Sequence, residues 1–382
     1  FYFSYTYDLT HTLQHNLLRE IGDHKAAARH EAEESSDSED EGHRHPSSTT
    51  ERQSLHQQFQ GFGYQERWLK EHKPFESIFL WNHFLIRDFY RVLIKKRWVM
   101  PVIYGDISKL NFTTEDNKSC TFLLISRRSR RYAGTRYMKR GINENGYVAN
   151  FVEVEQICYA HSDHFDLKPN ISSFVQIRGS IPLFWMQVPD PLKPKPDIVL
   201  KQAEKDPEYM STKRHFGMLL SKYSFPIYCF NLTKMFNARE KIVANEYNNC
   251  VNETINAELP KPMKINFIHY DVKAKKKEER NYPFGLFALA QKALDNVGFF
   301  SVTSSPHKRE SRVEIQRGII RTNCIDSLDR TNLVQELVGY LALLHQLKSL
   351  KIVDESLIQM QSQFFNLIFE MYNKMGDVIS MQ

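Results

Sequence analysis

This sequence predicts an α/β fold, a central sheet flanked by helices, from three observations. Short runs rich in β-branched and aromatic residues alternate with longer stretches of helical periodicity. One apolar run, marked by Ile315, Ile319 and Ile320, leads into a polar loop around Cys324, and a helical pattern follows. The chain has 382 residues, 41% hydrophobic and 25% charged, enough to bury a sizeable core.

Phe1–Tyr7 interleaves aromatics with Ser and Thr and reads as a strand. Asp8–Ile21 places Leu13, Leu17, Leu18 and Ile21 at helical spacing. Residues 24–58 are acidic, rich in Ser and His and almost without large apolar groups. Such text cannot offset its ordering entropy, so a disordered acidic insert is expected there. From about Phe75 the text is dense. Strands are expected at Trp98–Tyr104, Thr121–Ser126, Ser173–Arg178, Ser224–Leu232, Ile265–Val272 and Val313–Thr322. Helices are expected at Ile78–Ile94, Tyr209–Lys222, Phe284–Asn296 and Asn332–Leu350. No internal repeat is apparent.

The formal charge is +6, but residues 31–50 carry seven acids and one Arg. Removing that −6 leaves +12 for the remainder, which points to an anionic partner: nucleic acid, a membrane surface or a phosphorylated substrate. Five widely spaced cysteines without a Cys-x-x-Cys pair argue against a disulfide framework or structural zinc, and for a reducing compartment. No apolar run approaches the length of a membrane span. The text starts inside strand-like sequence, without Met or a signal peptide, and reads as a piece of a longer chain.

The segment Arg321–Asn332 (RTNCIDSLDRTN) concentrates the chemistry. It sets Cys324 at a strand end, ahead of a helix N-terminus, with Arg330 six residues on. Loop and first-turn amides there favour phosphate, and the same field favours the thiolate nucleophile. A guanidinium in the loop can hold two phosphoryl oxygens at once. Of the five cysteines, only Cys324 has Arg at the sixth following position. The bland reading is a buried strand-end cysteine beside an Asp–Arg cap. Paired carboxylates in a phosphate loop make sense if one is protonated and acts as general acid; Asp329 is the first choice and Asp326 the second. Thr331 is placed to hydrogen-bond the sulfur. Asn323, Ser327 and Leu328 complete the loop as candidate substrate contacts. Nothing in the loop has metal-ligand spacing, so neither a metal nor another cofactor is expected.

A second cationic feature is Arg127–Arg140, with seven Lys or Arg and no acid. A solvated basic face, a nucleic-acid patch and binding of headgroup phosphates or an anionic bilayer all fit this stretch. Arg127, Arg136, Lys139 and Arg140 are the candidates, with Arg178 either facing substrate or shaping a turn. His161-x-x-His164 reads as loop text, Lys273–Lys277 as a solvated charge run, and Asn150, Glu153, Glu155 and Gln156 as an ordered polar network or a binding set.

RTNCIDSLDRTN resembles the signature of the Sac-domain phosphoinositide phosphatases, departing at Ser327, where that family usually has a second cysteine. Trp81-Asn82, Ser126–Gly141, Val148–Gln156 and Gln176–Pro182 with Trp185 match in order. The resemblance implies a Sac catalytic domain over residues 59–382, truncated at its C-terminal end. It is a central mixed sheet flanked by helices, with a cysteine phosphate-binding loop. Residues 1–23 would be the tail of a β-rich N-terminal subdomain. The implied activity is hydrolysis of inositol-ring phosphate monoesters through a cysteinyl-phosphate. Pro182–Ile198 and Gly376–Gln382 look most like the polyphosphoinositide phosphatase branch, which removes the 5-phosphate of phosphatidylinositol 3,5-bisphosphate. Activity on phosphatidylinositol 4-phosphate or 3-phosphate, or a scaffold role beside the opposing lipid kinase, is the alternative. A protein tyrosine phosphatase is disfavoured by Asn323, where that family has histidine. The implied partners are a phosphoinositide, an anionic membrane surface, a scaffold protein and the phosphatidylinositol 3-phosphate 5-kinase, with no nucleic acid. The implied place is the cytoplasmic face of endosomal, vacuolar or other endomembranes, as a peripheral protein.

Overall fold

The computed structural model describes residues 1–20, 75–92, 99–114, 117–135, 138–161, 170–188, 196–278, 284–305, 308–353 and 362–381. The expected acidic insert, Arg136 and His164 lie outside them. The chain forms two compact units, residues 11–76 and the remainder, 1–10 with 77–382. In the first, residues 13–20 are helical, and the Thr12 hydroxyl accepts from the His15 N–H at 3.3 Å, satisfying a first-turn donor.

Among the described residues the larger unit is built on a nine-stranded mixed sheet with the central order β1-β2-β3-β4-β11-β7-β8. The strands are β1 (Gly105–Thr113), β2 (Ser119–Arg128), β3 (Val152–Ala160), β4 (Asn170–Arg178), β7 (Ile227–Asn231), β8 (Asn266–His269) and β11 (Ile319–Asn323). β1 to β4 pair antiparallel, whereas β4, β11, β7 and β8 run parallel. β9 (Phe300–Ser305) pairs with the start of β4 and with β10 (Lys308–Glu314); β5 (Trp185–Val188) and β6 (Asp197–Leu200) form a separate ribbon.

Six helices matter below: α1 (His83–Val92), α2 (Met210–Tyr223), α3 (Ala238–Asn249), α4 (Phe284–Val297), α5 (Asp329–Ser349) and α6 (Ser362–Ser380). α5 is buried on two sides. Val334, Val338, Leu341 and Ala342 join Ile320, Phe230 and residues of α4 in one cluster. Leu343 and Leu347 join Phe122, Val152 and Val154 of the sheet and Tyr372 of α6 in another. Each such side chain contributes about 1.5–3 kcal/mol by leaving water. Leu333, in the first turn of α5, is exposed and joins neither cluster.

Three expected strands change. Only Tyr2 of the first seven residues bridges, to Ile103, because the Ser4 hydroxyl captures the Tyr7 N–H at 3.1 Å and turns the chain. Val99–Tyr104 is not a strand: Pro101 lacks a donor, and the Asn82 side chain takes the Met100 carbonyl and the Val102 N–H at 2.8 and 3.0 Å. Val313–Thr322 divides into β10 and β11 at Gly318, whose φ of +86° and approach to the Pro226 carbonyl admit no side chain. Strands β1 and β3 and helices α3 and α6 were not expected. Among the described residues no helix is long and apolar enough to cross a membrane.

Candidate active site

β11, β7 and β8 are parallel neighbours, so the loops after them leave the sheet at one edge, where open α/β sheets place ligands. Cys324 follows β11 directly, is fully buried, and its Sγ donates to Asp326 Oδ1 at 3.0 Å. Burial first, and then the Asp326 carboxylate, push the thiol above its ordinary value; Arg330 and the Thr331 hydroxyl pull it down. Asp326 also accepts the Leu328 N–H at 3.2 Å, closing the loop on itself. Ser327 sits at a left-handed φ of +55° and donates to the Gly179 carbonyl at 2.8 Å. α5 starts at Asp329, an exposed acid in its first turn, so the helix dipole and first-turn amides face the loop.

Arg330 is held by residues the sequence reading missed. Its Nη1 donates to the Leu232 carbonyl at 2.7 Å and to Glu240 Oε2 at 2.8 Å, and its Nη2 reaches Glu240 Oε1 at 3.3 Å. Glu240 stands in the first turn of α3, is buried, and also accepts the Lys234 N–H at 2.8 Å. Burial opposes the Arg330 charge, but Cys324, Glu240 and Asp326 together raise its pKa. The pairing spans 90 residues of sequence, beyond any local motif.

Several expected substrate contacts are corrected. Arg178 is buried; its Nη2 donates to the Ser327 carbonyl at 2.5 Å and the Leu328 carbonyl at 3.1 Å, and its Nη1 to Asn332 Oδ1 at 3.1 Å. It braces the loop from behind, and burial lowers its pKa to about 10. Asn323 donates to Asn231 Oδ1 at 2.8 Å and accepts from Arg321 at 2.8 Å, locking β11 to β7. The Leu328 side chain enters the apolar cluster between β2, β3 and α6. Arg127 is fully buried on β2, donating to Glu153 at 3.1 Å, Glu155 at 2.5 Å and the Leu9 carbonyl at 2.6 Å. Although burial disfavours its charge, Glu155 and Glu153 raise its pKa. Arg140 is buried against Gln187 at 2.7 Å, and half-buried Lys139 lies over the Tyr132 ring at 4.7 Å. The described cations of the basic stretch are thus buried or half-buried against protein groups. Of the polar set, Glu153 and Glu155 pair with Arg127, Asn150 accepts from Arg128 at 3.0 Å, and Gln156 bonds Tyr372, Gln346 and the Gly339 carbonyl. All five cysteines are free and buried.

The arrangement suits phosphoryl transfer. A buried sulfur lies beside a carboxylate and a hydroxyl, with a positioned guanidinium six residues on and a helix N-terminus behind them. Residues 1–277 match the family model described as the SacI homology domain. Phosphoinositide phosphatase SAC3 of Arabidopsis thaliana is 35% identical over 81% of this chain and 44% of its own length. Polyphosphoinositide phosphatase of Schizosaccharomyces pombe is 31% identical over 100% of this chain and 40% of its length. Phosphatidylinositol-3-phosphatase SAC1 of Arabidopsis thaliana is 32% identical over 82% of this chain and 41% of its length. The chain spans less than half the length of these relatives.

Proposed function

The chain belongs to the SacI homology domain family, and from that premise we propose that it is a phosphoinositide phosphatase working through a cysteinyl-phosphate. The observation that carries this reading is the loop itself: Cys324, Asp326 and Arg330 within seven residues, the sulfur on the carboxylate and the guanidinium held by Glu240. Asp326, at 3.0 Å, takes the thiol proton, and the thiolate attacks phosphorus. Arg330 and the first-turn amides stabilise the charge on the equatorial oxygens. The ring oxygen leaves with a proton from a loop carboxylate. Asp329, exposed at the start of α5, is our first choice of acid, and the newly protonated Asp326 the second. Water, deprotonated by the same carboxylate, then attacks phosphorus and releases phosphate and the Cys324 thiolate. Thr331, buried beside the sulfur, stabilises that leaving thiolate.

We assign the substrate, more finely, as phosphatidylinositol 3,5-bisphosphate, with loss of its 5-phosphate. The support is the resemblance of Pro182–Ile198 and Gly376–Gln382 to the polyphosphoinositide branch and the match, over 100% of this chain, to 40% of the Schizosaccharomyces pombe relative. Peripheral action at an endomembrane, beside a scaffold protein and the opposing kinase, belongs to the same assignment. Phosphate release from liposomes carrying each phosphoinositide in turn tests it. Preference for the 3,5-bisphosphate is expected, and preference for a monophosphate overturns the branch while leaving the family chemistry intact.

A further inference from the structure

The loop after β7 that holds Arg330 also carries the most exposed aromatic side chain of this edge. Phe236 is 85% exposed, four residues past Leu232 and four before Glu240, both of which bond Arg330. Nothing in the phosphoryl-transfer chemistry requires an apolar ring in water there; a lone exposed ring is ordinary on a protein surface, so its surroundings decide what it meets. The cations around it say what. Lys234, Arg239 and Lys241 flank it in sequence, with half-exposed Ile242 on the next turn of α3.

The loop after β8 adds to the same edge. Asp271 Oδ2 accepts the Met235 N–H at 3.0 Å, tying that loop to the Phe236 loop, and Asp271 also caps the helix Val272–Glu278 through the N–H groups of Lys273 and Ala274. That helix bears Lys273, Lys275, Lys276 and Lys277. Among the described residues the acids that meet these segments are Glu240, which takes Arg330 and lies 3.9 Å from Lys234; Asp271, spent on the cap; Asp197, 3.5 Å from Arg239; and Glu278, 3.9 Å from Lys275. The Phe236 loop with the start of α3, and the helix after β8 tied to that loop through Asp271, thus carry seven cations beside the cysteine loop of adjacent β11.

We propose that the loops after β7 and β8 form a bilayer-docking face, in which Phe236 inserts at the acyl boundary while the flanking lysines and arginines meet anionic headgroups. Apolar insertion combined with basic attraction is the chemistry of an anionic lipid surface. The placement sets Cys324 at the membrane plane, where a ring phosphate still attached to its lipid can reach it. The identity of the framed site rests on the phosphatase reading; the surface rests on exposure and charge.

Sedimentation with vesicles of phosphatidylcholine alone, or with about 30% phosphatidylserine, tests this without turnover. The wild type is expected to bind the anionic vesicles preferentially. Phe236→Ser and the double variant Lys276→Glu, Lys277→Glu are each expected to weaken that binding about tenfold. Turnover of a soluble short-chain phosphoinositide should stay unchanged in both. Failure of the wild type to sediment, or wild-type binding by both variants, overturns the docking face. Intact vesicle binding with no turnover of any phosphoinositide supports the face and overturns the phosphatase reading instead.

Discussion

Replacing Glu240 with Gln isolates what the Arg330 cradle does. The carboxylate holds the guanidinium through two contacts, at 2.8 and 3.3 Å, with side-chain exposures of 18% for Arg330 and 8% for Glu240. Gln keeps the shape and one acceptor oxygen, but loses the charge and one charge-assisted bond of about 1.5–3 kcal/mol. If that loss falls on the transition state, it corresponds to about 10- to 100-fold at 1.36 kcal/mol per decade. Most of it should appear in kcat, since Arg330 grips hardest as charge moves onto the phosphoryl oxygens. Glu240→Ala removes both contacts, and an uncompensated buried charge costs about 3–5 kcal/mol, so that variant should also unfold more easily. Steady-state phosphate release, with Tm measured by circular dichroism, separates the two effects. Wild-type kcat in a fully folded Glu240→Gln protein would refute the positioning role.

Asp326→Asn removes a carboxylate that raises the Cys324 pKa, so the pH profile of Cys324 alkylation should move to lower pH; an unmoved or upward-shifted profile contradicts the 3.0 Å contact. The linkage sign follows: the folded-state pKa lies above the unfolded value, so Cys324 favours the fold below the unfolded pKa. That contribution is lost as pH rises through the folded pKa, and Cys324→Ser should therefore show a shallower alkaline loss of Tm. Tyr372→Phe strands Gln156 Oε1, now bonded at 2.7 Å, and should cost about 1–3 kcal/mol in denaturant unfolding with an unchanged m-value. Arg178→Met leaves the Ser327 and Leu328 carbonyls without their clamp and should abolish turnover while short-chain substrate still protects Cys324 poorly from alkylation; near-normal kcat would show that the loop holds itself.

What the sequence revealed was local. Cys324, Asp326 and Arg330 lie within one strand–loop–helix turn, so their placement in a single loop could be read from spacing and periodicity. Glu240, which positions Arg330, could not, because the contact is made only when β7 and β11 pair. The cations misled for a related reason. Lys and Arg are seldom buried unless paired, so Arg127 was read as part of a basic face and Arg178 as facing substrate or shaping a turn. Their partners, Glu153 and Glu155 on β3 and the Ser327 carbonyl, come from other elements. β3 was hidden by the same pairing: its carboxylates look solvent-facing until Arg127 neutralises them, with Lys222 and Tyr223 of α2 completing the set. Gly318 could have signalled the break between β10 and β11; a left-handed glycine between two apolar runs ends a strand.

The central claim is that Cys324 carries the phosphoryl group. Acid quenching during turnover of a phosphate-labelled phosphoinositide, followed by peptide mapping, tests it directly. Label bound covalently to the peptide containing Cys324 is expected in the wild type, and neither label nor turnover in Cys324→Ser. Sustained turnover by Cys324→Ser, or label on any other residue, would contradict it.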